Sequence, residues 1–492
     1  MTDTTAQAGA TAQNAATTQA GAAPQGRTRL QVYLKIGFLL LLVLGSLIPL
    51  EMVRGLVLER QGLSFSVKQE VSATWGRDQQ IIGPVLTVPF QEKRVVQVRN
   101  PKKDAEPAFV EKVVFDDHRL HLLPEVLDID AEAASSVRRR GIYEVPLYTA
   151  RTRFSGSFGR PDLEALGIGP EDKVLWDKAR IEVYVTDLSG SLNAISLTWD
   201  GRELPFRLDA AAVAGASRIV APLASLRPGR GAVSDFAFDV DLNGSDSFGV
   251  LPLGKTTKMS LTSSWPHPGF TGGALPSDSE ISAQGFTADW QVSHFARQIP
   301  QQWRSDLMPV ETLVQQAYDK GLLTRLVEPV DHYLKAERSV KYGVLFVVLV
   351  CTLLFGFEVM AGGRVHFVQY GLIVAALCIF FLLLLSLSEI LGFAAAYAIA
   401  AALSVTLVAL YVAKVAGGWR RGGLVTGLLA GIYGYLYITL QSEDHAMMMG
   451  SLLLFAALAA LMFATRNVDW YGLGAEVQRR APISQAGRSD QA

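Results

Sequence analysis

Residues 342–357 read YGVLFVVLVCTLLFGF, 365–387 VHFVQYGLIVAALCIFFLLLLSL, 390–413 ILGFAAAYAIAAALSVTLVALYVA, 422–440 GGLVTGLLAGIYGYLYITL, and 446–465 AMMMGSLLLFAALAALMFAT. These five runs are 16 to 24 residues long, and none contains Asp, Glu, Lys or Arg. A helix needs roughly 20 apolar residues to cross a hydrocarbon core about 30 Å thick. The block 342–465 therefore reads as five membrane spans, and a wholly soluble chain is excluded.

Upstream, Arg27, Arg29 and Lys35 precede another uncharged apolar run, Ile36–Leu50, which with its mostly apolar flanks extends over residues 32–57. It is long for a signal-peptide core, although Gly45 and Ser46 are small enough for a weak cleavage site, and we read it as an uncleaved anchor. Glu51 and Arg54, three apart on one helix face, can satisfy each other at its far end. Cytoplasmic loops carry the excess of Lys and Arg. With the N-terminus inside, Arg364, then Lys414, Arg420 and Arg421, then Arg466, Arg479 and Arg480 fall on the cytoplasmic side, while Glu389, Glu443 and Asp444 fall outside. The expectation is six spans with both termini cytoplasmic and residues 58–338 in the periplasm.

The 492 residues carry a net charge of -1, so charge gives no argument for a nucleic-acid partner. Cys351 and Cys378, the two cysteines, both lie in expected spans and read as packing residues rather than as a redox or metal pair. Residues 1–26 are rich in Ala, Thr, Gln and Gly without hydrophobic period, which predicts a disordered cytoplasmic tail; residues 466–492 form the other tail.

Residues 58–338 alternate apolar and polar positions in short runs, such as Val85–Phe90, Val95–Arg99, Tyr143–Phe154, Arg180–Asp187, Phe236–Asn243, Met259–Trp265 and Phe286–Val292. A period of two predicts half-buried strands. The fold class expected is thus an α+β membrane protein: six transmembrane helices and, between the first and second, a large all-β sandwich or jelly-roll-like domain, single or stacked in two. Only Arg160–Ala179 and Asp306–Leu323 look helical, with Pro309 limiting the second.

Candidate sites are few. Trp265 and His267 could line a pocket, or form a rigid turn capped by a core tryptophan. His118 and His121 follow Asp116 and Asp117, but on a strand i and i+3 point to opposite faces, which speaks against a metal site. Arg138, Arg139 and Arg140 read as a solvated sheet edge or a lipid-facing one. Near the spans, Glu358, His366, Glu389 and Lys414 sit at helix ends rather than mid-membrane, which argues against a charge-coupled transporter. Gln369, Tyr370, Tyr397, Tyr433 and Tyr437 could line a polar interior bordered by Glu443 and Asp444. Gly423, Gly427 and Gly431 predict a face open to close helix approach. No catalytic motif, cofactor signature or metal-ligand set is present.

The chain resembles the CreD family of Gram-negative inner-membrane proteins. The resemblance rests on Ile82, Gly83 and Pro84, on Ser264 to Pro268 with Phe270, on Gly285 and Phe286 with Trp290, and on Pro329, Val330, Asp331, Tyr333, Arg338, Lys341 and Tyr342. It continues through Phe357 and Glu358, His366 with Gln369 and Tyr370, Leu382 to Glu389, Gln441 to Asp444, and Thr465, Arg466, Asp469, Trp470 and Tyr471. The family pattern has Pro after the histidine where this chain has Phe367, which bears on the loop's shape. The resemblance implies an envelope-integrity protein under a two-component regulon, linked to colicin tolerance and β-lactam susceptibility. It implies no enzymatic activity and no catalytic residues. The expected function is a non-enzymatic one, in which the periplasmic β-domain binds an envelope component or membrane-protein partner. The alternatives are a transporter or lipid-handling protein with a polar path between the spans, and a membrane-bound hydrolase.

Overall fold

A computed structural model describes residues 25–99, 109–223, 234–328, 332–361, 365–415, 419–442 and 445–466. The expected tails, 1–24 and 467–492, and the candidates Glu443 and Asp444 lie outside the described residues. The chain is α+β and divides into two compact units, Leu63–Val330 and Met1–Gly62 with Asp331–Ala492.

Helix α1 runs Gln25–Trp75, well past the expected end of the first span at Val57. The sequence 58–75 is polar, but its Leu, Glu, Arg, Gln and Lys are straight-chain helix formers, so loss of hydropathy does not end the helix. Gly76 ends it. Its amide donates to the Ser72 carbonyl at 2.9 Å, its φ is 146°, and a Cβ there would sit 2.2 Å from the Asn243 carbonyl oxygen.

Within Leu63–Val330, two sheets share one hydrophobic core. One sheet has eight strands in the order Asp278–Ser282, Gly285–Ser293, Thr256–Ser263, Val126–Arg140, Tyr143–Phe158, Ser234–Ser245, Ser196–Trp199 and Arg202–Pro205. The other has ten, with the path Pro268–Gly272, Leu322–Leu326, Ser247–Val250, Gln79–Arg99, Arg180–Val185, Ala216–Pro222 and Arg207–Val213; Phe109–Leu122, Gln302–Arg304 and Lys173–Val174 pair off that path. Five of the seven expected strand runs fall within these strands, while Arg180–Asp187 and Met259–Trp265 each run two residues past the strand ends at Val185 and Ser263. Strand Val126–Arg140 shows why: Leu127, Ile129, Ala131 and Ala133 turn inward, while Asp128, Asp130 and Glu132 stay exposed. Phe154 stacks on Phe238 at 4.8 Å, and Tyr148, fully buried, donates from its hydroxyl to the Ser247 carbonyl at 2.6 Å, joining the two sheets. Both sheets are mixed, because Gln79–Arg99 pairs parallel with Ser247–Val250 and Val126–Arg140 parallel with Thr256–Ser263.

The helix expected over Arg160–Ala179 is not formed. Pro161, Gly167, Gly169 and Pro170 break it into turns, a two-residue strand and one 3₁₀ turn, Trp176–Lys178. Its Leu163, Leu166, Ile168 and Trp176 still pack on the core. Helix α2 is the single turn His294–Arg297. Helix α3, Glu311–Lys320, begins after Pro309 and buries Leu313, Val314 and Ala317 on one face.

The second unit holds α4 (His332–Ala361), α5 (Phe367–Leu391), α6 (Phe393–Val415), α7 (Trp419–Gln441) and α8 (Ala446–Thr465), with the first part of α1. Among the described residues five helices are long and apolar enough to cross a membrane, that of the N-terminal region included, and Met448–Ala460 of α8 forms a shorter apolar helix. Phe380, Phe381, Leu384, Tyr370 and Val347 are at most 1% exposed in a shared core. Gly343 is where three helices meet, since a Cβ there would lie 3.0 Å from Leu50 of α1 and 3.1 Å from Phe381 of α5. The expected glycine face is a correction: Cβ atoms at Gly423, Gly427 and Gly431 would meet open space. The buried side of α7 is the other one, carrying Val425, Leu429, Ile432, Tyr433, Leu436 and Leu440.

Candidate functional site

Glu358, near the end of α4, is the centre of a polar knot. Lys35 of α1 donates from Nζ to Glu358 Oε1 and, at 2.7 Å, to the Val365 carbonyl. Tyr370 of α5 donates from its hydroxyl to Glu358 Oε2 at 2.9 Å, and the Val365 amide donates to Oε1 at 3.2 Å. The Lys35 ammonium also lies 5.3 Å from the Tyr370 ring centroid, a cation–π contact. The two charged side chains are only 15% and 10% exposed, so each depends on the other to offset its lost hydration. His366, a candidate at a span end, and Gln369, a candidate for a polar interior, both cap α5 instead. His366 Nδ1 accepts from the Val368 amide at 3.2 Å and Gln369 Oε1 accepts from the His366 amide at 2.8 Å, a capping box.

Glu389, near the end of α5, repeats the arrangement. Its Oε1 accepts from the Tyr333 hydroxyl of α4 at 3.2 Å and lies 3.9 Å from Arg60 Nε of α1. Each carboxylate thus sits near the end of one helix of the antiparallel α4–α5 pair, takes a hydroxyl from the other, and pairs with a cation on α1. Lys35 and Arg60 are 25 positions apart, about 37 Å along a helix, enough to bracket a hydrocarbon core of about 30 Å. Beside the second clamp, Glu337 pairs with Lys341 at 2.9 Å and Arg54 at 3.8 Å, and Lys335 donates to Gln441 at 3.2 Å. Lys35, Tyr333 and Arg60 were not among the expected site residues. The signal available was Lys35 itself, a charge set at the start of an apolar run.

Between the clamps, Tyr397 and Tyr433 are buried among aromatic side chains. The Tyr433 ring packs against Phe346 at 4.6 Å and Phe380 at 4.7 Å, and Tyr397 spends its hydroxyl on the Tyr433 carbonyl at 2.7 Å. A groove of about 520 Å³ between α6 and α7 is lined by five alanines with Gly434, Val405 and Thr406, and by Tyr397, Tyr433 and Tyr437.

In the β unit, Trp265 and His267 form a turn rather than a pocket. Trp265 Nε1 donates to the Val327 carbonyl at 3.1 Å, the Val327 amide donates to the His267 carbonyl at 3.1 Å, and the His267 side chain is exposed. His118 and His121 face opposite ways. His118 lies 3.3 Å from Glu92, beside Arg304, which makes paired bonds to Glu92 and Asp306. His121 is buried, bonded to the Thr87 hydroxyl at 3.0 Å and stacked on Trp303, and burial pushes its pKa down to about 4. Glu182, the one buried carboxylate among the described residues, is held by the Tyr184 hydroxyl and by Arg180 at 2.7 Å. Burial works to raise its pKa, but those partners hold it below the ordinary value.

The Arg138–Arg140 run ends a strand that is laddered on both sides as far as Ala133; beyond Ser135, whose amide donates to Ser264 Oγ at 2.9 Å, Tyr143–Phe158 is its one strand partner among the described residues. Arg138 stacks on Trp75 at 4.2 Å and Arg140 pairs with Glu70 at 2.7 Å, so the run holds the last turns of α1. Next to it lies a cleft of about 910 Å³ within the β unit, whose walls include Phe65, Lys68, Gln69, Arg77, Asp246 and Glu328. It mixes apolar and charged walls, with Lys68 and Glu328 paired at 2.6 Å.

Three comparisons bear on this geometry. The family model described as inner membrane protein CreD matches residues 31–471. The Escherichia coli (strain K12) protein "Inner membrane protein CreD" is 29% identical over 437 residues, covering 87% of this chain and 91% of its own length. The structure of native yeast LTA4 hydrolase overlaps 49% of this chain and 35% of its own at 8% identity, with a TM-score of 0.19, too low to carry an argument. The motif residues Glu358, His366, Gln369, Tyr370 and Glu389 lie inside the matched region, at the two clamps.

Proposed function

This chain belongs to the CreD family of inner membrane proteins, and from that premise we propose that it is a non-enzymatic envelope-maintenance protein whose β unit engages a component of the cell envelope. In this reading α8 supplies a sixth span, both termini are cytoplasmic and the β unit, a two-sheet sandwich, is periplasmic. The envelope-stress role and the two-component regulon implied by the family resemblance belong to the same proposal.

The observation that supports it is the cleft of about 910 Å³ in the β unit, where apolar walls and unlike charges lie side by side. Such a lining suits an amphipathic envelope molecule better than a small polar solute. The test is in-cell photo-crosslinking of the full-length protein from Gln69 in the cleft, with Thr262 on the exposed sheet face as reference. A discrete adduct from Gln69 and none from Thr262 is expected. Adducts from neither position, or equally from both, would remove the cleft as a binding site.

A further inference from the structure

The strands Gln79–Arg99 and Phe109–Leu122 pair continuously from Leu86 with Leu122 to Arg99 with Phe109. Beyond Gln91 the first strand pairs with no other strand among the described residues, its last outside bond being that of the Lys93 amide to Asp172 Oδ1 at 2.8 Å, and the second pairs with another strand only at Leu120–Leu122. Lys93–Arg99 and Phe109–Phe115 therefore form a two-stranded ribbon free of the sheet. Directly paired residues share a face. One face carries Phe109, Val113, Val95 and Phe115, exposed by 58%, 47%, 53% and 51%. The other carries Val98, 41% exposed, with Val96 and Val114 partly exposed.

We propose that this ribbon is a docking surface for an anionic phospholipid bilayer. Large apolar side chains left in water on both faces mark an interaction site. A flat protein surface would cover one face and leave the other wet, whereas an immersed ribbon has both faces covered at once. Its charge has the matching sign: residues 93–99 and 109–115 hold Lys93, Arg94, Arg99 and Lys112 against Glu111, in a chain whose net charge is -1. Arg94 is turned to Asp116 at 3.0 Å, at the root of the ribbon. Lys93 shares a face with Phe115, and Lys112 shares the other with Val96, so each face sets a long cationic stem beside its apolar residues. That arrangement lets ammonium groups reach phosphates while their stems and neighbours enter the interface. Beyond Lys93 the outer edges have no strand partner among the described residues, and their N–H and C=O groups need water, which limits the ribbon to the headgroup region. The proposal is independent of what the cleft holds.

The test uses the full chain with Val95→Cys, and in a second preparation Val113→Cys, labelled with an environment-sensitive fluorophore. Both native cysteines are buried. Each protein is reconstituted alone into vesicles with and without phosphatidylglycerol, and Thr262→Cys provides a water-exposed reference. The expected result is a blue shift at both ribbon positions in phosphatidylglycerol vesicles, quenching by brominated lipid, and none of either at Thr262. K93E/K112E should abolish the shift. Emission at the ribbon positions that stays at its water value in both lipids overturns the proposal. So does a shift that brominated lipid does not quench, which would indicate a protein contact, or one that ignores both headgroup charge and the K93E/K112E change.

Discussion

The Tyr370 hydroxyl donates to Glu358 at 2.9 Å on the carboxylate oxygen opposite the one that Lys35 holds. One carboxylate thereby ties α1, α4 and α5 together. Removing one partner of a buried pair leaves the other charge uncompensated, which costs about 3–5 kcal/mol, whereas removing both together costs far less. We therefore expect Glu358→Ala and Lys35→Ala each to lower the melting temperature of the detergent-solubilised protein sharply. K35M/E358M should recover most of the loss, and Tyr370→Phe should cost about 1–2 kcal/mol. A double variant as unstable as the sum of the singles would show that the pair is not the coupling element.

Much of this was legible in residue types and little of it in spacing. Glu358 and Glu389 stand out as carboxylates at the ends of apolar runs, so their positions were readable. Their partners Lys35 and Tyr333 lie 323 and 56 residues away, and no local pattern joins them. The strand alternation was legible for the same reason that spans were: it is a local period. The parallel pairing of Val126–Arg140 with Thr256–Ser263 was not, because it depends on segments 130 residues apart. The extension of α1 past Val57 was missed because hydropathy ended there while helix propensity did not.

We expect His121 to make the β unit acid-sensitive. Its folded pKa is depressed to about 4 from 6.5, first by burial and further by Arg119 and Arg180, with Glu182 and Glu311 opposing. A depressed histidine binds fewer protons folded than unfolded, so stability is fully present above about 6.5 and is lost as pH falls toward 4. The shift corresponds to roughly 3 kcal/mol across that window. Denaturant unfolding of the full-length protein, followed by tryptophan fluorescence, should show this slope between pH 6.5 and 4. His121→Gln should flatten it, and an unchanged slope in that variant would locate the acid sensitivity elsewhere.

Arg304 joins Glu92 and Asp306, its Nη2 lying 2.6 Å from Glu92 Oε2 and its Nε 3.0 Å from Asp306 Oδ1, while its guanidinium lies 5.2 Å from the Phe90 ring. Its side chain is 10% exposed. Lysine keeps the charge but cannot supply the forked donors, so Arg304→Lys should cost about 1 kcal/mol and Arg304→Ala about 2–3 kcal/mol. Equal effects of the two, measured by chemical denaturation, would mean that only net charge matters there.

Gly76 sits where α1 turns into the first strand with φ of 146°, and a Cβ would lie 2.2 Å from a backbone carbonyl that cannot move without shifting strand Ser234–Ser245. Gly76→Ala should therefore destabilise the β unit by about 2–4 kcal/mol, read as increased protease sensitivity after Arg77. Gly423→Ala, whose new methyl meets open space, should be nearly silent in the same assay.

Orientation is the remaining expectation, and it rests on loop charge. In sequence, Arg364, Lys414, Arg420, Arg421 and Arg466 cluster at the ends of alternate apolar runs, while the junction of the α5 and α6 runs carries Glu389 and neither Lys nor Arg. Lys35 and Glu358 would then lie at the cytoplasmic ends of α1 and α4, and Arg60 and Glu389 at the periplasmic ends. An alkaline-phosphatase fusion after Gln97 should be active and one after Gln478 inactive, with the reverse for a cytoplasmic fluorescent reporter. Reports from the same side at both positions would require an even number of crossings between them instead of five, and would overturn the six-span reading.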